Sequence, residues 1–193
     1  MMQKIGVFLS ARNNLDSAYK TAAEEVGEWI GKTGRTLVYG GSRAGLMEVI
    51  AAATKRNGGK VYGVVPQIIT QRHLESELID VCFPCADLTD RKSIMMQESD
   101  VLLALPGGIG TLDELFTVLG VSAIGIQGQR PLVLYNVAGC WDHLITLLKD
   151  LCEKGFITRK FEEVVSVATT VDELARVITD LENSWQAVIG CKL

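Results

Sequence analysis

The chain is poor in the residues that several common kinds of site require. Only two of its 193 residues are histidines, His73 and His143, whereas a structural zinc site needs four nitrogen, sulfur or carboxylate ligands. Its five cysteines are an odd number, and the CxxC pair Cys82 and Cys85 has no second pair to complete a metal site. We therefore expect no metal ion, and we interpret the cysteines as reduced thiols that act as small buried hydrophobic residues.

Concentrated basic charge and long apolar runs are also missing. The formal net charge is -4 and the Lys and Arg residues are scattered, whereas nucleic acids and anionic membrane surfaces require a basic patch. The first apolar run, residues 5–9, is much shorter than a signal-sequence core or a spanning helix of about 20 residues. The sequence therefore predicts a cytoplasmic protein that binds neither nucleic acids nor membranes.

Short apolar runs alternate along the chain with segments of helical period. Strands are predicted over residues 5–9, 36–39, 61–65, 79–83, 101–105, 131–135 and 164–168. This alternation and the chain length predict one α/β domain over residues 1–193, a Rossmann-like, doubly wound parallel sheet with helices on both faces. The first strand is not followed by a GxGxxG turn, which counts against an ordinary NAD or FAD fold.

Four local predictions concern connections and chain ends. Residues 67–77 are polar and lack a clean period, which predicts a mobile loop that either lines or covers the ligand crevice. Thr89 is predicted to cap the helix that follows it. A capping box beginning at Thr170 opens a final helix that ends near residue 181. The tail over residues 183–193 is too apolar for a free end, so we expect it to dock on the body or on a second subunit.

One stretch combines a buried strand, a glycine-rich turn and the start of a helix. Residues 101–105 are apolar, a proline follows, and residues 107–110 contain three glycines. The first N–H groups of a helix have no intrahelical partner and the helix dipole makes this end positive. The stretch therefore predicts an anion site with phosphate as its guest. Glu114 would repel a phosphate placed against it, so it must have a separate role.

Two other turns are predicted to border the same crevice. Residues 40–47 form a second glycine-rich turn, in which Gly41, Ser42 and Met47 are candidate binding residues. Ser10 follows the first strand, and ligands of such sheets bind at the carboxyl ends of strands. Two alternatives account for Ser10 at this position, a contact with phosphate or the ordinary preference of serine for turns.

Arg91 and Lys92 lie in the first turn of a predicted helix. Cations at that end oppose the helix dipole, at a cost of about 0.3–1 kcal/mol for an exposed residue. Solvated charges would tolerate this cost, and an anion bound nearby would remove it.

Together these elements carry a resemblance to a known family. Residues 106–114 read Pro-Gly-Gly-Ile-Gly-Thr-Leu-Asp-Glu and match every fixed position of the signature PGGxGTxxE. Arg91 and Lys92 match the Arg-Lys pair upstream of that signature, and residues 40–47 match a GGxxxGLM element. The chain resembles the Lonely Guy family, the cytokinin riboside 5'-monophosphate phosphoribohydrolases, long mislabelled as lysine decarboxylases. The likeness extends from the first strand to residue 157.

The resemblance implies a homodimeric enzyme without a cofactor. It would hydrolyse the N-glycosidic bond of a nucleoside 5'-monophosphate, AMP or N6-prenylated AMP, to free base and ribose 5-phosphate. The resemblance implies that Glu114 and Arg91 are the catalytic residues. A carboxylate beneath the ribose stabilises the positive charge of an oxocarbenium-like transition state. The residues implied in substrate or phosphate binding are Lys92, Gly107, Gly108, Ile109, Gly110, Thr111 and Asp113.

Several alternatives stay open at this point. Arg91 either holds Glu114 or reaches the phosphate, and the helix dipole alone would explain Asp113. The family usually has glycine where this chain has Glu48, which leaves the preferred base open. Non-hydrolytic nucleotide-binding and molybdenum-cofactor-binding proteins of this fold use the same glycine turns. Lysine decarboxylation ranks third, because its usual form needs a pyridoxal phosphate lysine and no lysine here has a supporting motif.

Overall fold

A parallel sheet forms the centre of the molecule. The computed structural model describes residues 2–123 and 130–190. Within them the strands are β1 (Lys4–Phe8), β2 (Thr36–Tyr39), β3 (Lys60–Pro66), β4 (Val81–Cys85), β5 (Val101–Ala104), β6 (Leu132–Tyr135) and β7 (Ser166–Ala168). Their order in the sheet is β4-β3-β2-β1-β5-β6-β7, and all neighbouring pairs are parallel. The predicted parallel α/β architecture is confirmed.

Helices cover both faces of this sheet. They are α1 (Ser17–Lys32), α2 (Gly45–Arg56), α3 (Gln67–Gln71), α4 (Leu88–Glu98), α5 (Ile109–Ala123), α6 (Asp142–Glu153), α7 (Phe161–Val164) and α8 (Val171–Gly190), with a 3-10 turn at Val137–Gly139. Helices α1, α2 and α8 pack against one apolar cluster, and α4, α5 and α6 pack against a second cluster on the opposite face. Among the described residues, no helix is long and apolar enough to cross a bilayer.

The strand order reverses beside β1, because β2 pairs with one side of β1 and β5 with the other. At such a switch point the loops after two adjacent strands diverge and leave a crevice at the carboxyl ends of the strands. Ser10 bridges the loops here. Its N–H donates to the Pro106 carbonyl at 3.2 Å, and its carbonyl accepts from the Leu46 N–H at 3.1 Å. The fold thus joins the two glycine turns through the loop after β1.

Two local predictions about α3 and α4 are wrong. Residues 67–71 form a helix rather than a loop, and five residues are too few to display a helical period. The cap of α4 is Asp87, whose carboxylate accepts from the N–H groups of Thr89 and Asp90 at 2.8 and 2.9 Å. Asp and Thr are both good capping residues, and Asp87 is the one whose carboxylate reaches two N–H groups.

The final helix is longer than predicted. Its start is correct, since the Glu173 N–H donates to Thr170 Oγ1 at 3.2 Å. It continues to Gly190 instead of ending near residue 181, because no glycine or proline interrupts the pattern at that point. The predicted docking of the tail stays a prediction. The glycine-containing run over residues 125–129 also predicts a break after α5. Those residues and the chain end, residues 191–193, lie outside the described residues.

Candidate active site

The turn between β5 and α5 presents a helix N-terminus at the switch point. The first helical bond joins the Leu112 N–H to the Gly108 carbonyl at 3.0 Å. The N–H groups of Ile109, Gly110 and Thr111 therefore precede the ladder of helical hydrogen bonds. They lie at the positive end of the helix dipole. The predicted strand, turn and helix start are all present, and the binding of phosphate there stays a prediction.

The glycines of this turn serve different purposes. A Cβ added to Gly107 would collide with the side chain of Thr111, which is buried, so packing requires glycine at this position. A Cβ on Gly108 or Gly110 would meet no atom of the described residues within 4 Å. Packing therefore does not explain these two glycines. Their bare backbone instead leaves room for the close approach of a ligand.

Glu114 lies one helical turn beyond this N-terminus and is buried, with its side chain 3% exposed. Its Oε1 accepts a hydrogen bond from Arg91 Nη2 at 2.6 Å. Burial raises the pKa of Glu114 to about 7, and the charge and hydrogen bond of Arg91 oppose that rise. A carboxyl group that titrates near neutral pH can take up and release a proton under ordinary conditions, as acid–base catalysis requires.

Arg91 reaches Glu114 from the neighbouring helix α4. Glycine at position 40 leaves space for it, because a Cβ there would lie 3.2 Å from Arg91 Nη1 and 3.3 Å from Met47 Cε. The Nε of Arg91 is buried and has no hydrogen-bond partner among the described residues. Of the two roles that the sequence left open for Arg91, the contact with Glu114 is present. The unpartnered Nε retains hydrogen-bonding capacity for a bound molecule.

A second ion pair lies beside the first. Lys92 Nζ donates to both carboxylate oxygens of Asp113, at 2.9 and 2.8 Å. Two consecutive residues of α4 thus meet two consecutive residues of α5. The structure pairs Lys92 and Asp113 with each other, and their predicted contacts with substrate stay predictions.

Comparison with known proteins bears on the family of the chain. A family model described as "Possible lysine decarboxylase" matches residues 47–178. The cytokinin riboside 5'-monophosphate phosphoribohydrolase LOG3 of Arabidopsis thaliana is 34% identical over 90% of this chain and 80% of its own length. LOG1 of the same plant is 34% identical over 92% of this chain and 83% of its own. The chain belongs to the Lonely Guy family.

Solved structures outside the Lonely Guy relatives share the fold. The molybdenum cofactor binding protein of Rippkaea orientalis has a TM-score of 0.72 and 23% identity, over 94% of this chain and 98% of that one. The molybdenum cofactor carrier protein of Chlamydomonas reinhardtii has a TM-score of 0.73 and 23% identity, over 95% and 99%. At this identity the likeness establishes the fold alone.

The second glycine turn of the Lonely Guy pattern is covered by residues 72–78, which we call the strap. The Gly41 carbonyl accepts from the Ser76 N–H at 2.8 Å, and Ser42 forms an antiparallel bridge with Glu75. Gly41 has φ 72°, a left-handed conformation that favours glycine. Backbone geometry therefore explains Gly41. The strap already forms backbone contacts with part of this turn. Binding roles for Gly41 and Ser42 stay predictions.

A cavity of about 370 Å³ adjoins the first glycine turn. Its wall includes Ser10, Arg12, Tyr19 and Trp141, and Ser10 Oγ accepts from the Arg12 N–H at 3.1 Å. Tyr19 and Trp141 could not be predicted at this place, because they come from separate parts of the chain that only the topology brings together. The cavity extends the crevice of this Lonely Guy protein from the glycine turn toward β6.

The cysteines form no site among the described residues. Cys82 and Cys85 are three positions apart on β4, a span of about 10 Å along a strand, which is longer than the roughly 7 Å that a disulfide tolerates. Within residues 2–123 and 130–190, no three His, Cys, Asp or Glu side chains are grouped closely enough to hold a metal ion.

Proposed function

We propose that this protein hydrolyses the N-glycosidic bond of a purine nucleoside 5'-monophosphate, AMP or an N6-prenylated AMP, to free base and ribose 5-phosphate. The observation that carries the proposal is the buried pair of Glu114 and Arg91 one helical turn from an open helix N-terminus. The names of the Arabidopsis relatives support the same reaction.

The two parts of the site suit the two ends of the reacting nucleotide. The 5'-phosphate binds the N–H groups of residues 109–111, where the helix dipole favours an anion. Glu114 lies about 5.4 Å further along the helix, one helical pitch, and this is roughly the span of a ribose. Anchoring of the phosphate therefore brings the anomeric carbon to the carboxyl group of Glu114.

Glu114 then acts in its ionised form. Its negative charge stabilises the positive charge that develops on the ribose as the bond to the base breaks. Water forms a bond to the anomeric carbon, its proton passes to Glu114, and the electron pair of the glycosidic bond leaves with the base nitrogen. That nitrogen takes up a proton from solvent to give the free base, and Glu114 releases its proton to solvent, which restores the ionised carboxylate. Burial alone would keep Glu114 protonated, so the neighbouring Arg91 is needed to maintain its ionised fraction.

The experiment is product analysis with a panel of purine and pyrimidine monophosphates that includes AMP and isopentenyl-AMP. We expect the wild type to release free base from at least one purine monophosphate. Arg91→Ala should release at least about tenfold less at neutral pH while its circular dichroism spectrum matches that of the wild type. A wild type that is inert on every monophosphate would refute the proposed function.

A second candidate function is the binding of a nucleotide, or of the molybdenum cofactor, without cleavage. The fold shared with molybdenum cofactor carriers favours it. A carrier has no need of a buried acid paired with arginine beside the sugar position, which favours the hydrolase. The same incubations separate the two, because a carrier returns its bound nucleotide intact.

We also propose that the protein acts as a homodimer. Helices α4 and α5 expose large apolar side chains, with Leu88 53%, Ile109 83% and Phe116 45% exposed. Exposed apolar groups that lie near one another mark interaction surfaces. Sedimentation velocity should give a dimer for the wild type and a monomer for Phe116→Glu, and a monomeric wild type would exclude the dimer.

A further inference from the structure

We propose that Lys92 and Asp113 are positioning residues, whose ion pair fixes α4 against α5 and thereby holds Arg91 on Glu114. This inference rests on the proposed function of Glu114. It assigns Lys92 and Asp113 a role distinct from contact with the phosphate.

The two ion pairs join α4 and α5 in different directions. Consecutive residues of a helix are separated by a rotation of about 100° and a rise of 1.5 Å. The contacts of Arg91 with Glu114 and of Lys92 with Asp113 therefore join the same two helices at two points that differ in direction. One contact alone would let the helices rotate about it, and the second contact removes that freedom.

The apolar anchoring of α4 is narrow. Among its eleven residues only Met95 is fully buried, and its neighbours Ile94 and Met96 pack against the same cluster while partly exposed. This burial holds α4 on the sheet, but it is non-directional and does not by itself set the direction of the Arg91 side chain. Polar contacts between α4 and α5 supply that direction.

The ammonium group of Lys92 is largely committed to Asp113. Lys92 is 12% exposed along its side chain, whereas Asp113 is 57% exposed. Of the three N–H donors of a lysine, two have acceptors in the carboxylate of Asp113. One donor at most is left for another acceptor, so the arrangement is better suited to joining helices than to receiving substrate.

The charges that face Glu114 make the inference testable. They are Arg91 and Lys92 on α4 and Asp113 on its own helix α5. The charge of Asp113 raises the pKa of Glu114, and the charge of Lys92 lowers it. Simple electrostatics therefore predicts opposite effects when each charge is removed. If the pair instead positions Arg91, both substitutions should raise the pKa of Glu114. Either change loosens the contact of Arg91 with Glu114 and leaves the buried carboxyl group with less positive charge to stabilise its ionised form.

The test compares Lys92→Met and Asp113→Asn with a control, Lys154→Met, which removes the exposed pair of Lys154 with Asp150 on α6. The titration of Glu114 is followed by ¹³C NMR of protein labelled at the glutamate carboxyl carbons, with its signal assigned by its loss in Glu114→Gln. The pH dependence of kcat and of KM is measured on the same proteins. The NMR titration does not require activity, so it tests the pair even if no monophosphate is cleaved.

We expect Glu114 to titrate at higher pH in both variants, with kcat at pH 7 about fivefold lower and KM little changed. Lys92→Arg and Asp113→Glu, which retain the ion pair, should titrate like the wild type, as should Lys154→Met. Opposite shifts in the two variants, no shift in either, or a rise in KM alone would overturn the inference. If Lys92→Met does not fold, Asp113→Asn is sufficient by itself, because it changes a mostly exposed side chain. Electrostatics alone predicts a lower pKa of Glu114 in this variant, whereas a positioning role predicts a higher one.

Discussion

Glu114 Oε1 accepts a hydrogen bond from Arg91 Nη2 at 2.6 Å, although the two residues are 23 positions apart in the chain. Both side chains are largely withdrawn from water. Removing a carboxylate from water is costly, so a buried acid that keeps a single basic partner sits close to the balance between its charged and neutral forms. The reactivity proposed for the site depends on this balance.

The buried carboxyl of Glu114 should make stability depend on pH. Its pKa is raised from 4.5 in the unfolded chain to about 7 in the folded protein, so the folded state binds more protons between these values. The free energy of unfolding of the wild type, relative to Glu114→Gln, should therefore fall from pH 4.5 to pH 7 and then level off. The total loss is at most about 3 kcal/mol. Urea denaturation of both proteins at pH 5 and pH 8 measures it, and an equal difference at both values would contradict it.

The rate of the proposed reaction should follow the ionised form of Glu114. In the wild type, kcat/KM should rise from pH 6 to pH 8 and then become constant. In Arg91→Met the uncompensated burial raises the pKa of Glu114 further, so the rise should move to higher pH and activity at pH 7 should fall at least about tenfold. Activity that stays low in Arg91→Met at all pH values, with a higher KM, would instead indicate that Arg91 binds the phosphate.

The glycine turn offers a matched pair of substitutions. Gly108→Ala adds a methyl group where no described atom lies within 4 Å, so the melting temperature should be nearly unchanged while KM for the monophosphate rises. Gly107→Ala forces a methyl group against the Thr111 side chain and should cost about 1–3 kcal/mol of stability. Thermal melts and substrate titrations of both variants provide the check. An unchanged KM in Gly108→Ala would show that the space above this glycine is not used by substrate.

Most of the fold could be predicted because strands and helices alternate with distinct periods and lengths. The errors arose where local signals compete or are too short. Asp87 and Thr89 are both good caps two positions apart, and only the folded backbone decides between them. The five residues of α3 form little more than one turn, which is too short for a period to be recognised.

The components of the site could be predicted from the motif, and the contact of Arg91 with Glu114 was one of the two roles left open for Arg91. The pairing of Lys92 with Asp113 could not be predicted. Helix α4 precedes β5 and α5 follows it, and both pack on the same face of the sheet. This topology brings Arg91 to Glu114 and Lys92 to Asp113, and no spacing in the sequence encodes it. The burial that brings the pKa of Glu114 near neutrality is likewise a property of the assembled core, because the neighbouring acid on the same helix, Asp113, remains mostly exposed.

Binding and cleavage of the nucleotide can be separated at Glu114, because the glycine turn is proposed to bind and Glu114 to cleave. The decisive experiment compares the wild type with Glu114→Gln at pH 8, with the binding of AMP measured by calorimetry and the release of adenine by chromatography. Glu114→Gln should bind AMP about as tightly as the wild type and release no adenine. Release of adenine by Glu114→Gln at the rate of the wild type would show that Glu114 is not the catalytic group.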